Sequence, residues 1–254
     1  MAPAGQPAAR PPLVAANWKM NLLRAQAEAY CGVLRQGAAG ALRAVDAIVF
    51  PPFPLLPLVA AGLAGSEILV GGQDLHPEDS GAHTGDVSGP QLADAGCSWA
   101  LCGHSERRRD HGESDDLVGR KAAAALRAGL TPMICVGETR DERHAGRTFE
   151  VLERQLTAAL AHLAHLPGDR FAVAYEPVWA IGTGETATAE TAREAHRFLR
   201  GVLAGTGDHI LYGGSVTPEN AAGLIAQPDV DGFLVGGASL DPRRFLSIMA
   251  VCAG

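Results

Sequence analysis

A single carboxylate, Glu176, stands in Tyr175-Glu-Pro-Val-Trp-Ala-Ile-Gly-Thr-Gly184, at the end of the short apolar run Phe171-Ala-Val-Ala-Tyr175. The run reads as a buried strand. Pro177 lacks a backbone donor, so the chain leaves the strand there. Val178, Trp179, Ala180 and Ile181 then put apolar side chains in a loop that ought to be exposed, and Gly182 and Gly184 supply backbone freedom behind them. A carboxylate, a stiff hinge, an apolar tip and a flexible hinge are the parts of a general base under a closing lid. An ordinary strand-to-helix loop with an isolated Glu gives the same local pattern.

Other candidates stand after other apolar runs. Asn17 and Lys19 follow Leu13–Ala16, where an ammonium would attract an anionic ligand and stabilise developing negative charge. His104 lies in Gly103-His-Ser-Glu-Arg-Arg108. This segment reads either as a helix start whose polar residues satisfy open amides or as an imidazole placed to donate a proton. Ser105 is not a nucleophile elbow, because Arg107 occupies the second glycine position of that motif. Gly213-Gly-Ser215 and Gly236-Gly237 follow two late runs, and paired glycines let several N–H groups approach an anion such as a phosphate. Gly182-Thr-Gly-Glu-Thr-Ala187 imitates a dinucleotide fingerprint, but the true motif follows directly on a strand. It is read here as the hinge of the lid.

The elements that must position these residues are eight short apolar runs: Leu13–Ala16, Ala47–Phe50, Ile68–Gly71, Trp99–Cys102, Pro132–Val136, Phe171–Tyr175, His209–Tyr212 and Gly232–Val235. Most are continuous rather than alternating, as expected of parallel strands covered on both faces. Between them lie segments of helical spacing such as Asp116–Leu126 and Phe149–Leu160. Eight strand–helix units in 254 residues fit a single-domain α/β chain closed as a (β/α)₈ barrel. A doubly wound open sheet is the alternative, but Asn17-Trp-Lys-Met-Asn21 after the first run holds no glycine fingerprint. In a barrel the chemistry lies at the carboxyl ends of the strands, where these candidates fall. Cys135, inside the fifth run, reads as core packing. Whether Glu106 and Glu138 are buried partners of nearby arginines is open at this level.

Composition narrows the partners. The 47% hydrophobic content suits a large core, and the net charge of -7 without a basic block argues against nucleic acid. No apolar run approaches the ~20 residues of a membrane span. Residues 1–12 are rich in Pro and Ala and are expected to form a disordered tail, leaving 13–254 as the barrel domain. Five cysteines without a CxxC pair point to reduced thiols in the cytoplasm.

Taken together, Ala16–Asn21, Gly103–Arg108, Cys135–Glu138, Tyr175–Gly184, Tyr212–Val216 and Gly236-Gly237 resemble the triosephosphate isomerase family, in its order and over nearly the whole chain. The resemblance implies a TIM barrel that interconverts dihydroxyacetone phosphate and glyceraldehyde 3-phosphate without cofactor or metal. It implies Glu176 as the base, His104 as the electrophile, and Lys19 and Asn17 as groups that hold the substrate and stabilise the enediolate. It further implies Gly182, Ser215, Gly236 and Gly237 as the phosphate cradle, and Pro177, Val178, Trp179, Ala180, Ile181, Gly182 and Thr183 as the lid. The stretch from Gln73-Asp74 through Gly81–Val87 resembles the family's loop that enters a neighbouring subunit, which implies a homodimer with Thr84 near Asn17 of the partner subunit. His83 and Asp86 stand where the family often has an aromatic residue and Glu. Cys102 replaces an aliphatic residue, and Glu185 replaces a Lys.

Overall fold

The computed structural model describes residues 11–38, 40–41, 44–163, 171–180, 187–204 and 209–254. Ile181, Gly182 and Thr183 of the expected lid and cradle lie outside the described residues, as do residues 1–10 of the expected tail. The strands are β1 (Leu13–Asn17), β2 (Asp46–Phe50), β3 (Leu69–Gly72), β4 (Trp99–Cys102), β5 (Thr131–Val136), β6 (Ala172–Tyr175), β7 (Ile210–Tyr212) and β8 (Gly232–Val235). The helices are α1 (Arg24–Gly37), α2 (Leu56–Leu63), α3 (Gly89–Asp94), α4 (Ser105–His111), α5 (Asp115–Arg127), α6 (Arg140–His144), α7 (Thr148–Ala161), α8 (Ala189–Leu203), α9 (Ala221–Ile225) and α10 (Pro242–Ala253). Each strand pairs in parallel with the next, and β8 pairs with β1 to close an eight-stranded barrel. The open-sheet alternative is thereby excluded, and each expected run coincides with a strand to within two residues at either end.

Closure explains why the strands read as unbroken apolar runs. Alternate residues point inward and outward, and both sides are covered. Leu13, Ala15, Ile48, Phe50, Leu101, Met133, Cys135, Ala172, Ala174, Leu211 and Leu234 form a cluster made of strand residues alone, which is the filling of the barrel. Val14, Ala16, Val49 and Val173 point the other way, into the larger cluster shared with the helices. β3 brings Gly71 to the wall, where a Cβ would lie 2.3 Å from the Phe50 ring, so the large aromatic occupies the space the glycine leaves. Burying each such Leu, Ile or Phe contributes about 1.5–3 kcal/mol. All five cysteines are free and buried, which agrees with packing rather than bridging.

The helices carry local signals that agree with the global arrangement. Ser114 caps α5 by accepting from the Leu117 N–H, Asp115 and Asp116 fill its first turn, and Arg127 stands in its last. Those charges oppose the helix dipole at both ends. Ala122, Ala123, Ala124 and Ala125 are buried, and their small size lets α5 lie close to the barrel.

One buried group links stability to pH. His196 of α8 is fully buried, its Nδ1 lies 3.0 Å from Asp229 O, and its ring meets Tyr175 edge-on. Burial pushes its pKa down from 6.5 to about 4. The folded protein therefore holds this ring neutral where the unfolded chain would protonate it. The associated stability is complete above about 6.5 and is lost as pH falls toward 4. About 3 kcal/mol is at stake across that interval. Urea unfolding at pH 7 and at pH 4.5 should show a smaller acid loss in His196→Gln than in the parent chain. An equal loss in the two proteins would remove His196 as a cause.

Candidate active site

The first strand delivers Asn17 and Lys19. Asn17 Oδ1 accepts the Lys19 N–H at 3.0 Å, and Lys19 takes a φ of +53°. A non-glycine residue rarely adopts that conformation, at a cost of order 1–3 kcal/mol. Gln73 holds it by donating from Nε2 to both Lys19 O and Phe50 O, each at 2.9 Å. The turned backbone sends the ammonium across the barrel mouth to Glu106 Oε1 at 2.8 Å. Glu106 is thus a half-buried partner of a lysine. A Cβ on Gly236 would touch Lys19 Cε at 3.4 Å, so the chain just after β8 passes close to it.

The fourth strand delivers His104, and the expected helix start is seen there. It caps α4, with Nδ1 accepting the Glu106 N–H at 3.2 Å. An accepting Nδ1 carries no proton, so the neutral ring holds its proton on Nε2. That atom lies 2.9 Å from Glu176 Oε1. Arg108 fixes the turn by donating to Gly103 O at 2.9 Å, Cys135 O at 3.2 Å and Asp115 at 2.6 Å. Nitrogen NMR of labelled protein should place the proton of the neutral His104 ring on Nε2. An imidazolium signal would mean that the Glu106 N–H does not bond to this ring.

The sixth strand delivers Glu176, which is 2% exposed. Oε1 faces His104 and Oε2 accepts the Ser105 N–H at 2.8 Å. Burial by itself would push the carboxyl up, but His104, the Ser105 N–H and Lys19 outweigh it and hold the group below the ordinary glutamate range. Its own N–H bonds to Val136 O at 2.8 Å, which ties β6 to the end of β5. Beyond that point Gly137 is pressed against Glu176: a Cβ there would stand 1.8 Å from the Glu176 carbonyl oxygen. Gln155 of α7 grips Gly137 from behind, accepting its N–H at 2.8 Å and donating to its carbonyl at 3.2 Å. Sequence reasoning missed Gln155, although a signal existed. It is a polar residue on the buried face that includes Val151, Leu152, Leu156 and Ala159.

The apolar tip begins as a short 3-10 turn, Val178–Ala180. The Trp179 indole donates to Glu138 Oε1 at 2.9 Å, and the Arg143 guanidinium lies over the Trp179 ring, 4.4 Å from its centroid. Glu138 is fully buried and also receives the Tyr175 hydroxyl and Arg143, each at 3.2 Å. The arginine partner left open for Glu138 is therefore Arg143.

Asn17, Lys19, His104, Glu176, Ser215, Gly236 and Gly237 line one cavity of about 720 Å³ at the carboxyl ends of the strands. Gly213 and Gly214 line it too, and a Cβ on Gly213 would meet Glu176 Cγ at 3.0 Å. Arg109 and Arg244 add cationic groups to the wall that the sequence reading did not single out. Both sit on helices among other charged residues, so nothing local marked them. Thr84 is exposed between β3 and α3 and does not line this cavity.

A family model of triosephosphate isomerase matches residues 12–252. The triosephosphate isomerase of Granulibacter bethesdensis is 50% identical over 247 residues, covering 95% of this chain and 99% of that protein. Those of Bradyrhizobium sp. and Rubrobacter xylanophilus are 50% identical over 248 residues and 47% over 252, covering 95% and 96% of this chain and 98% of each protein. The chain belongs to the triosephosphate isomerase family. Membership makes it an enzyme of the isomerase class and accords with the closed barrel. Among the described residues, no helix is long and apolar enough to cross a membrane.

Proposed function

We propose that the chain interconverts dihydroxyacetone phosphate and D-glyceraldehyde 3-phosphate by proton transfer through an enediolate. The observation that carries this reading is the 2.9 Å meeting of Glu176 and the proton-bearing nitrogen of His104, in a cavity that also holds Lys19. An ionised carboxylate removes the proton from the carbon beside the substrate carbonyl. The His104 N–H turns from Glu176 to the carbonyl oxygen and supplies the hydrogen bond that the developing enediolate needs. Lys19 adds positive charge at the same place. Both Glu176 oxygens are engaged within the protein, so the carboxylate must exchange a partner when substrate enters. The phosphate is held by the loops after β7 and β8, through Ser215, Gly236 and Gly237, as is common in such barrels. The tip around Val178, Trp179 and Ala180 closes over the site when Trp179 leaves Glu138, excluding water from the enediolate. A coupled assay of the purified chain with glyceraldehyde 3-phosphate tests the reading. Turnover of another phosphosugar in preference, or none at all, would replace it with a related isomerase or a binding protein.

The same reading includes a homodimer. Met20 is 94% exposed and Leu23 is 76% exposed, side by side with the catalytic loop that holds Lys19. Large apolar side chains left in water near one another mark a surface that meets a partner. Thr84 on its projecting loop would approach Asn17 of the partner subunit, so each site is completed by the other chain. On dilution, mass by light scattering and activity should fall together. A fully active monomer would refute the arrangement. The buried free thiols support a reducing, cytoplasmic setting.

A further inference from the structure

Among the described residues, the Lys and Arg side chains that line the catalytic cavity are Lys19, Arg109 and Arg244. Two of them are committed to carboxylates. Lys19 donates to Glu106 Oε1 at 2.8 Å, and Arg109 donates twice to its neighbour Asp110, at 2.6 and 2.9 Å. Arg244 differs. Its guanidinium lies 3.7 Å from Glu219 Oε2, its one ion pair among the described residues. That separation is beyond a hydrogen bond. The pair is a loose electrostatic tether, which leaves the planar fork of donors open. Glu219 stands in the loop after β7, just before α9, and Arg244 in the first turn of α10, after β8. The tether therefore spans the two segments that carry Ser215, Gly236 and Gly237. The helix itself gives no reason for an arginine there. Asp241 caps α10 by accepting the Arg243 N–H at 2.8 Å, and two arginines then follow at the end where the dipole favours acids. Of these two, Arg244 lines the cavity and Arg243 does not.

We propose that Arg244 recruits the substrate of this chain, exchanging Glu219 for the phosphate of the entering molecule. The inference rests on the reading of the cavity as a triose phosphate site. The chain carries a net charge of -7, so the global field opposes an approaching anion and a local cation must overcome it. A guanidinium suits that task, because its fork of N–H groups matches two phosphate oxygens at once. The side chain is 48% exposed, so it meets the anion while both are still solvated. Glu219 competes for the same charge and sets how readily Arg244 is released. The Thr217 hydroxyl and its own N–H hold Glu219 below the ordinary glutamate range, and Arg244 adds to this, so the competitor is ionised at neutral pH. Arg244 takes no part in moving a proton. Its effect falls on the capture of substrate and not on the chemical step, and it weakens as salt screens exposed charges.

The test uses the full chain in two independent arms: steady-state kinetics with glyceraldehyde 3-phosphate across a range of salt, and calorimetric titration with inorganic phosphate. Arg244→Gln should raise KM by about three- to tenfold at low salt with kcat unchanged, and weaken phosphate binding by a similar factor. Its kcat/KM should depend less steeply on salt than that of the parent. Glu219→Gln, which frees the arginine, should shift KM and phosphate affinity the opposite way. Arg243→Gln removes the same charge from the neighbouring position outside the cavity, and should change each quantity less than Arg244→Gln does. Circular dichroism confirms the fold of each variant. An Arg244→Gln protein whose KM, salt dependence and phosphate affinity match those of Arg243→Gln overturns the proposal, as does a loss confined to kcat. A parent chain without turnover defeats the reading of the reaction instead, and the phosphate titrations then decide the role of Arg244 by themselves.

Discussion

Glu176→Gln lowers turnover by about 10²–10⁴-fold, the usual range for removing a general base, while affinity for a phosphate-bearing ground-state analogue changes little. The amide has the shape of the carboxylate but cannot take a proton from carbon. Its oxygen still accepts the Ser105 N–H, which the parent residue holds at 2.8 Å. Its NH₂ group, however, faces the His104 N–H across a contact of 2.9 Å in the parent, where two donors repel. The histidine is therefore displaced as well, and the loss lies toward the upper end of the range. Binding survives because the proposed phosphate contacts lie on other residues of the cavity wall, Ser215, Gly236 and Gly237. Steady-state kinetics with an inhibition constant for inorganic phosphate separates the two effects. Turnover within a few-fold of the parent would remove Glu176 from the role of base.

Gly137→Ala has an effect of similar size without touching a reacting group. The added methyl would overlap the backbone carbonyl of Glu176, at 1.8 Å, and its carbonyl carbon, at 2.7 Å. These are main-chain atoms, so no side-chain rotation relieves the contact, and β5 and β6 must part at their carboxyl ends. The Glu176 N–H bond to Val136 O and the grip of Gln155 on Gly137 resist that parting. Overpacking of this kind costs about 1–3 kcal/mol of stability. Moving Glu176, the proposed base, by about 1 Å costs about 100-fold in rate. A folded variant should thus show a fall in kcat greater than any rise in KM, with a modest drop in unfolding midpoint. Normal kcat in a folded Gly137→Ala protein would mean that the base is not positioned through this contact.

Gln155 shows why such a residue escaped the sequence reading. Helical spacing put it on the buried face of α7, and the local pattern said only that its amide needed partners. The partners are Gly137 N and O, 18 residues earlier in the chain, and only the docking of α7 on β5 brings them together. Lys121 is a parallel case. It sits in the Ala-rich stretch of α5 and reads as one more helix former, yet it is buried and paired with Asp74 and Glu113. A charge at that depth is tolerated only because both carboxylates meet it.

The sequence by itself determined the eight strands, the barrel and the chain positions of Glu176, His104 and Lys19. Those features rest on local causes. Unbroken apolar runs demand cover on both faces, Pro177 ends β6, and the paired glycines bend the chain after β7 and β8. The tertiary structure alone decided the partners. Lys19 meets Glu106 across 87 residues, and Glu176 meets Ser105 across 71. Only half of the His104 setting is tertiary: the Glu106 N–H, two residues away, occupies one ring nitrogen locally, while the fold turns the other toward Glu176. Periodicity and turn chemistry act over a few residues. Barrel closure is what converts strand ends far apart in the chain into neighbours a hydrogen bond apart.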